Sequence, residues 1–341
     1  MYVRSLNGSW QMKRADESEW LGATVPGSVY SDLLAAGRMD DPFYRDNEDK
    51  AFALMQHDYR YRRAFDADEA LLAFDKIELC CEGLDTFAQI TLNGQPVGDA
   101  DNMHRTWRFD VGGLLQAGEN TIEILFRSPL QMAEQLYREF GVPGSTDATR
   151  GFPSVRKAHC MYGWDWGPRL PDAGIWRDIS LRGFRVARLE SVLVRQRHEA
   201  NAVALTFVPD IVYASEKKPV SLRTTVVTPD GDTLMAEDGA LTIENPQLWW
   251  PNNMGEQPLY TVRAELYDEQ GELLDVWERR IGLRTITVSR EPNEWGENFA
   301  FTVNGVSFFA MGADYIPEDN LLSRVTPELR TAIKWLETPF R

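Results

Sequence analysis

The sequence has 341 residues, which is long enough for two or three domains with separate cores. Its 52 acidic residues outnumber its 36 basic residues and give a formal net charge of -16. This charge argues against nucleic acids and anionic membranes as partners, because both require a basic face. An uncharged ligand fits this charge better. The sequence contains no apolar run of about 18 residues and no secretory signal, so we expect a cytoplasmic protein.

Residues 1–183 are predicted to form many short β-strands. Three segments alternate between apolar and polar residues and are rich in β-branched and aromatic side chains. Asn93 and Gly94 lie between two apolar runs, which is the strongest short signal for a β-hairpin. The pattern favours a β-sandwich of the jelly-roll type. The alternating segments are 77–81, 87–92 and 121–126.

Two helices are predicted within these strands. One covers residues 28–36 and ends before Gly37, and the other covers 129–140 and ends before Gly141. In both, the glycine is a typical residue to follow the last helical turn. We expect these helices to decorate the sheets.

The cysteines and histidines do not indicate a metal or cofactor site. The cysteine count is three, with Cys80 and Cys81 adjacent, so reduced thiols are predicted instead of a disulfide framework. Neighbours in a strand point to opposite faces, so Cys80 and Cys81 cannot hold one metal ion together. The four histidines are far apart and lack zinc-site spacing. We predict no metal and no cofactor.

The segment Gly163-Trp164-Asp165-Trp166-Gly167 places one carboxylate between two tryptophans. An aromatic face can pack on the C–H face of a sugar ring while a carboxylate accepts hydrogen bonds from its hydroxyls. The flanking glycines let the backbone approach a ligand closely. The other interpretation is that both tryptophans are packing residues and that Asp165 caps a turn. The residues alone leave both open.

Residues 184–285 are predicted to form a second β-domain. About seven short alternating segments in about 100 residues favour an immunoglobulin-like sandwich. Trp249 and Trp250 could form a sugar platform, but packing of this domain against its neighbours is the interpretation we prefer.

Residues 286–341 follow a different pattern. Asn304 and Gly305 predict a hairpin that leads into a buried strand over 306–312. A polar and aromatic loop with Asp314 and Tyr315 comes next. Thr326 as N-cap and Pro327 at the first helical position then predict a helix. One strand, a loop and one helix make a single βα unit, which cannot close a barrel alone.

Several motifs occur together in the order found in glycoside hydrolase family 2, and the details resemble its β-mannosidase branch most. The likeness extends over nearly the whole chain. The motifs are Leu-Asn-Gly at 92–94, Asn-Met-His-Arg-Thr-Trp at 102–107, Gly-Trp-Asp-Trp-Gly-Pro at 163–168, Leu-Trp-Trp-Pro at 248–251 with Gly-Glu-Gln-Pro-Leu-Tyr at 255–260, and Arg-Ile-Gly-Leu-Arg at 280–284.

The resemblance implies a mainly β fold: a jelly-roll, galactose-binding-like domain at 1–183, an immunoglobulin-like sandwich at 184–285 and the start of a truncated (β/α)8 barrel at 286–341. It also implies a retaining exo-β-mannosidase that releases terminal β-mannose from the non-reducing end of a β-mannoside or oligosaccharide. Such enzymes use two glutamates about 5 Å apart. In the family both glutamates lie on later barrel strands, so we expect an N-terminal part that is inactive alone.

No catalytic residue is therefore assigned in this chain. Glu318, Asp319 and Glu328 are better explained as residues of a solvated loop and of a helix N-terminus. Pro339 interrupts the last predicted helix, which suggests truncation or a frameshift.

The resemblance assigns accessory contacts with the terminal sugar to Asp165 and Trp164, and more weakly to Asn102. Tyr315 and Asp314 are predicted to line the floor of the pocket. Three alternatives remain open at this level: a stand-alone carbohydrate-binding protein, a purely structural module, and a β-glycosidase of the same family with another sugar preference.

Overall fold

The computed structural model describes residues 1–312, 314–326 and 328. The chain divides into two compact units. The N-terminal unit contains Tyr2–Gly183 and the stretch from Tyr315 onward, and the second unit contains Phe184–Asp314 with Met1. Within the described residues, no helix is both long and apolar enough to cross a membrane.

The N-terminal unit is built from short strands. They are β1 (Tyr2–Ser5), β2 (Gly8–Arg14), β3 (Leu21–Val25), β4 (Tyr59–Ala67), β5 (Lys76–Cys81), β6 (Leu84–Asp85), β7 (Ala88–Leu92), β8 (Gln95–Ala100), β9 (Trp107–Asp110), β10 (Gly118–Phe126), β11 (Tyr162–Trp164), β12 (Gly167–Arg169), β13 (Gly174–Ile175) and β14 (Ile179–Phe184). One sheet has the order β3-β2-β4-β10-β7-β8 and another β1-β14-β5-β9. Both contribute to one core, with Tyr61 and Ile124 from the first and Leu79 and Leu181 from the second, all fully or almost fully buried.

Turn chemistry explains where several elements end. Asn93 and Gly94 have φ angles of 52° and 76°, which a two-residue hairpin turn of type I′ requires, and they join β7 to β8. Gly141, with φ of 62°, ends the long helix. The hairpin and both predicted helices are confirmed. The helices of this unit are α1 (Val29–Ala35), α2 (Asn47–Leu54), α3 (Glu69–Leu72) and α4 (Pro129–Phe140), with 3-10 turns at Phe152–Ser154, His159–Met161 and Leu322–Arg324.

The three cysteines form no disulfide in the structure. Cys80 and Cys81 are buried in β5, Cys160 is partly buried, and all three are free. Burial raises the pKa of the Cys81 thiol well above its usual range, because the charged thiolate is unfavourable in an apolar environment. These two buried thiols are therefore packing residues.

The second unit contains a seven-stranded β-domain. Its strands are β15 (Ala187–His198), β16 (Ala202–Tyr213), β17 (Val220–Val227), β18 (Thr233–Met235), β19 (Ala240–Glu244), β20 (Tyr260–Asp268) and β21 (Leu273–Ile281). They form two sheets with the orders β15-β16-β19 and β18-β17-β20-β21. Leu205 and Phe207 from the first sheet and Val262 and Leu266 from the second share one core. This division matches the predicted immunoglobulin-like sandwich.

Trp249 and Trp250 pack within the second unit. A Cβ atom added at Gly282 would lie 2.9 Å from Trp249, and one added at Gly255 would lie 2.9 Å from Trp250. The Arg284 guanidinium covers the Trp249 ring at 4.7 Å from its centroid. Both side chains are partly buried. These contacts lie within the unit and favour a packing role over a sugar platform, whereas packing of this domain against its neighbours stays a prediction.

The predicted buried strand over residues 306–312 is wrong. Asn304 and Gly305 do form a hairpin turn with φ angles of 47° and 80°, but the strand ends at Phe308, and Phe309 and Met311 are 85% and 75% exposed. A strand buried within a sheet needs neighbours on both edges. The strand Val306–Phe308 pairs, among the described residues, on one edge only.

The last strands of the chain are β22 (Ile286–Ser289), β23 (Pro292–Asn293), β24 (Gly296–Glu297), β25 (Ala300–Val303) and β26 (Val306–Phe308). The helix predicted to start at Pro327 lies outside the described residues, apart from Thr326 and Glu328.

Candidate functional site

The Trp-Asp-Trp segment forms the tip of a small hairpin in the N-terminal unit. Strands β11 and β12 pair through Tyr162 with Arg169 and through Trp164 with Gly167, so Asp165 and Trp166 form the turn. Trp164 and Trp166 are 40% and 41% exposed, and Asp165 is also exposed. The tryptophans are therefore not core residues.

The Asp165 carboxylate is available for an external partner. Within the part of the chain that the structure describes, it forms neither a hydrogen bond nor an ion pair, so the turn-capping role considered above has no support. An exposed carboxylate between two exposed indole rings offers both the acceptor and the apolar surface that a sugar ring requires.

Gly163 permits the sharp geometry of this hairpin. Its φ angle is +87°, which side chains rarely adopt, and an added Cβ would lie 2.4 Å from Arg169 Cγ. A larger residue at position 163 would displace the arginine from the hairpin. The glycine beside Trp164 thus has a structural reason.

Arg169 fastens the hairpin to helix α2. Its backbone N–H and its Nε both donate to Glu48 Oε1, at 3.0 and 2.7 Å, and its Nη2 donates to Asp49 Oδ1 at 2.9 Å. The guanidinium also lies over the Phe52 ring, 5.2 Å from the centroid. Hydrogen bonding to Glu48 raises the pKa of Arg169 further, so the clamp stays charged. The two carboxylates lie in the first turn of the helix, where negative charge is favourable.

A buried polar network supports the base of the hairpin. Tyr162 is fully buried, and its carbonyl accepts hydrogen bonds from Thr149 N and Oγ1 at 2.9 and 3.1 Å. Five residues before Tyr162, the Lys157 ammonium is completely buried and donates to Asp85 Oδ2 and, at 2.7 Å, to the Asp172 carbonyl. The bond to the Asp172 carbonyl joins the approach to the hairpin with the segment that follows it, and the charge pair joins that approach to β6.

Asp172 belongs to the same buried region. Its Oδ1 accepts from Tyr30 N at 3.0 Å and from its neighbour Ala173 N at 2.8 Å. Burial raises the pKa of this carboxyl to about 7, and these hydrogen bonds oppose the rise only in part.

Replacing Asp172 by Asn should flatten the pH dependence of stability. The folded-state pKa lies above the unfolded value of about 3.9, so the proton favours folding: this contribution is complete below about pH 4 and lost as the pH rises through 7. Each unit of pKa shift is worth about 1.4 kcal/mol. Melting temperatures between pH 4 and 7.5 should therefore fall less steeply in Asp172→Asn than in the unchanged chain. Asp32, whose pKa burial raises to about 6, supplies part of the remaining slope. Equal slopes would contradict the assignment.

Asn102 lies beside the segment that leads into the hairpin. It forms an isolated parallel β-bridge with Arg156. Its Oδ1 accepts from His104 N at 2.9 Å, and its carbonyl accepts from Trp107 Nε1 at 3.0 Å. The side-chain oxygen is thus used in a local turn, which leaves the amide nitrogen as the group that can face a ligand.

The two predicted floor residues fall into different units. Tyr315 belongs to the N-terminal unit, is 61% exposed and donates its hydroxyl to Glu318 Oε2. Asp314 is exposed and belongs to the second unit. The structure therefore places Trp164, Asp165, Asn102 and Tyr315 in one compact unit and Asp314 in the other.

Sequence reasoning missed the short segment that follows Tyr315. The Asn320 side chain is almost buried, at 6% exposure, and its Nδ2 donates to the Pro168 carbonyl of the hairpin at 3.0 Å. Leu321 is fully buried in the core of the N-terminal unit. The prediction that Asp319 is a solvated loop residue is wrong, because its carboxylate accepts from Leu321 N at 2.8 Å and pairs with Arg324. A polar pair directly before two leucines was the signal available in the sequence.

Comparisons with known families agree with this architecture. The family model described as "glycosyl hydrolase 2 galactose-binding domain-like" matches residues 10–177, and that described as "glycosyl hydrolases family 2" matches residues 187–284. The chain belongs to glycoside hydrolase family 2. The two matches fall on the two β-sandwiches described above.

Relatives within family 2 include β-mannosidases. The chain is 34% identical to β-mannosidase B of Emericella nidulans and 33% identical to that of Aspergillus terreus, over 97% and 98% of this chain. The structure matches β-D-mannosidase from Dictyoglomus thermophilum with a TM-score of 0.90 and 35% identity, over 98% of this chain and 42% of that one. An exo-chitosanase from Amycolatopsis orientalis matches with a TM-score of 0.71 at 19% identity, which shows a shared fold. The chain spans 41% of the length of these curated relatives and is homologous to their N-terminal part.

Proposed function

We propose that this chain forms the N-terminal, substrate-contacting part of a retaining exo-β-mannosidase. In this proposal, residues 1–183 form the sugar-binding-type domain, 184–285 the immunoglobulin-like domain and 286–341 the start of a catalytic barrel. The nucleophile and the acid–base glutamate that the family implies are not among these 341 residues. The substrate in this proposal is a β-mannoside or oligosaccharide with a terminal mannose.

The observation that carries this proposal is the exposed turn of the Trp-Asp-Trp hairpin. Asp165 and Trp164 lie at its tip, and the Arg169 clamp and the buried Lys157 hold its two ends. A fixed acceptor beside an aromatic ring loses little conformational entropy when a sugar binds, which favours affinity. We assign Asp165 to a sugar hydroxyl and Trp164 to the C–H face of the ring, with Asn102, Tyr315 and Asp314 as further contacts.

Two of the described acidic residues near the end of the chain, Glu318 and Asp319, have other partners. Asp319 is bound to Arg324, and Glu318 accepts the Tyr315 hydroxyl. A retaining pair requires two carboxyl groups that face one anomeric carbon, one of them as an unblocked nucleophile. The partners of Asp319 and Glu318 favour a structural role for both.

An aryl β-mannoside tests the division of labour. We expect the 341-residue chain to release no aryl alcohol above a heat-denatured sample, because two-carboxylate chemistry is missing. By contrast, a complete family 2 β-mannosidase in which this chain replaces the matching N-terminal part should hydrolyse the aryl β-mannoside. We call this protein the chimeric enzyme. Turnover by the isolated chain at an ordinary enzymatic rate, of about 1 to 1,000 per second, would contradict the proposal if it survives repurification.

A second candidate function is carbohydrate binding by the chain alone. It is favoured by the hairpin, whose described anchors all lie within one unit that has its own core. Calorimetric titration with mannose and mannobiose distinguishes the two. Binding below about 1 mM would support this second function, and heat changes indistinguishable from dilution at that concentration would leave the enzyme-part proposal alone.

A further inference from the structure

The outer edge of the Trp-Asp-Trp hairpin is covered by one side chain from far along the sequence. Strand β12 pairs with β11 through Gly167 and Arg169, and Pro168 lies between these paired positions. Proline has no N–H to donate, and its carbonyl accepts from Asn320 Nδ2 at 3.0 Å, across 152 residues of sequence. This bond is one of the few that hold the strand directly after the Trp-Asp-Trp turn.

Asn320 is itself held firmly on both sides. Directly after it, Leu321 is completely buried in the core. Directly before it, Asp319 accepts from Leu321 N and from Arg324 Nε, at 2.8 and 2.7 Å. A donor fixed on such a short, doubly anchored segment points at one place, because the backbone cannot rotate it away.

Two further contacts connect this segment to the rest of the N-terminal unit. Ser323 Oγ lies 3.5 Å from Ser31 Oγ in helix α1, and the Arg324 guanidinium lies over the Phe43 ring, 5.9 Å from its centroid. We call residues 319–324 the clip. Of its described contacts, only the Asn320 bond reaches the hairpin.

We propose that Asn320 is a positioning residue for the Trp-Asp-Trp turn, and that the clip couples this turn to the segment that carries Tyr315. Arg169 fixes one end of β12 on α2, and Asn320 fixes its middle. Together they set the direction in which Asp165 and Trp164 face a ligand. The consequence for mannoside binding rests on the function proposed above, whereas the consequence for the hairpin does not.

Hydrogen exchange measured by mass spectrometry on the 341-residue chain tests the positioning role without sugar. Asn320→Asp keeps the side-chain shape but replaces the donor amide with a carboxylate that repels the Pro168 carbonyl. We expect amides of residues 162–169 to exchange at least about fivefold faster, as the loss of one hydrogen bond of about 1 kcal/mol implies. Peptides from β10, in the centre of the large sheet, should keep their rates.

Two controls separate positioning from general destabilisation. Ser323→Ala removes a contact of the same clip that does not reach the hairpin, so it should leave the exchange of residues 162–169 unchanged. Asn320→Ser provides a second, uncharged variant whose hydroxyl is too short to reach Pro168, and it should repeat the effect of Asn320→Asp. The proposal would be overturned if hydrogen exchange in residues 162–169 were unchanged in both Asn320 variants. It would also be overturned if β10 exchanged equally faster in these variants, or if Ser323→Ala accelerated the hairpin as much as they do.

Steady-state kinetics of the chimeric enzyme give the second measurement. Asn320→Asp should raise KM for an aryl β-mannoside severalfold and change kcat less, because substrate binding is affected before the chemistry is. Ser323→Ala should leave both constants unchanged. An unchanged KM despite faster hairpin exchange would overturn the coupling to the sugar site. If the chimeric enzyme has no mannosidase activity while the hydrogen-exchange result holds, the proposed function fails and the positioning role of Asn320 remains.

Discussion

Replacing Asp165 by Ala in the chimeric enzyme, the β-mannosidase that carries this chain as its N-terminal part, should lower kcat/KM for an aryl β-mannoside by about a thousandfold. Hydrogen bonds from sugar hydroxyls that strengthen in the transition state contribute several kcal/mol in retaining glycosidases, and about 1.4 kcal/mol corresponds to a factor of ten. The Asp165 carboxylate is exposed and forms no bond to another described residue, so its removal should leave the fold intact. Steady-state kinetics together with the melting temperature measure both effects.

Two variants give this experiment its controls. Asp165→Asn keeps the shape and one acceptor oxygen but loses the charge, so it should retain more activity than Asp165→Ala. Asp66→Ala removes another exposed aspartate, on strand β4 of the same unit, and should leave kcat/KM unchanged. A catalytic efficiency of Asp165→Ala within twofold of the unchanged enzyme would favour a structural role for the Trp-Asp-Trp turn.

Replacing Lys157 by Met should destabilise the N-terminal unit by about 3–5 kcal/mol. The Lys157 ammonium is fully buried and paired with Asp85, which is itself only 4% exposed. Removing one partner of a buried ion pair leaves the other charge without compensation, and the cost of that buried charge is larger than the value of the pair. Differential scanning calorimetry of the 341-residue chain should show a lower melting temperature.

A double variant and a surface pair identify the cause of this loss. Lys157→Met combined with Asp85→Asn removes both charges and should recover more than half of the lost stability. Lys76→Met breaks a pair with Asp110, 3.8 Å apart, in which Lys76 is partly buried and Asp110 exposed, and it should cost no more than about 1 kcal/mol. If Lys157→Met costs as little as Lys76→Met, the buried pair does not support the hairpin as described.

Local sequence signals predicted much of the fold correctly because they act over a few residues. Gly141 must adopt a positive φ to end helix α4, and Asn93 with Gly94 must do so to turn the chain between β7 and β8. The same holds for Asn304 and Gly305. Each of these residues has a conformational preference that does not depend on the rest of the protein.

The features that sequence reasoning missed depend on contacts between distant segments. Lys157 and Asp85 are 72 residues apart, and nothing near either indicates that both are buried. Asn320 reads as an ordinary loop residue until Pro168 is placed beside it. The buried strand predicted after Gly305 failed for the same reason, since burial requires neighbours that local alternation cannot supply.

At the candidate site, the sequence was sufficient to recognise the Trp-Asp-Trp motif, but not to predict whether its side chains are exposed. The sequence left open whether Trp164 was a core residue, and only its 40% exposure at the end of a hairpin decides the point. The positions of Asn102 and Tyr315 as pocket contacts remain predictions. Their test is the same kinetic comparison as for Asp165, with smaller expected losses.

The return of the chain to its first unit has a consequence for biosynthesis. A ribosome completes residues 2–183 long before it reaches Leu321, yet Leu321 is a fully buried member of the core of that unit. Domains generally fold as units while the chain is being made. Here the nascent first unit lacks one buried apolar side chain of its core until the whole second unit has been translated. Chaperones that shield apolar surface would find their target in that interval.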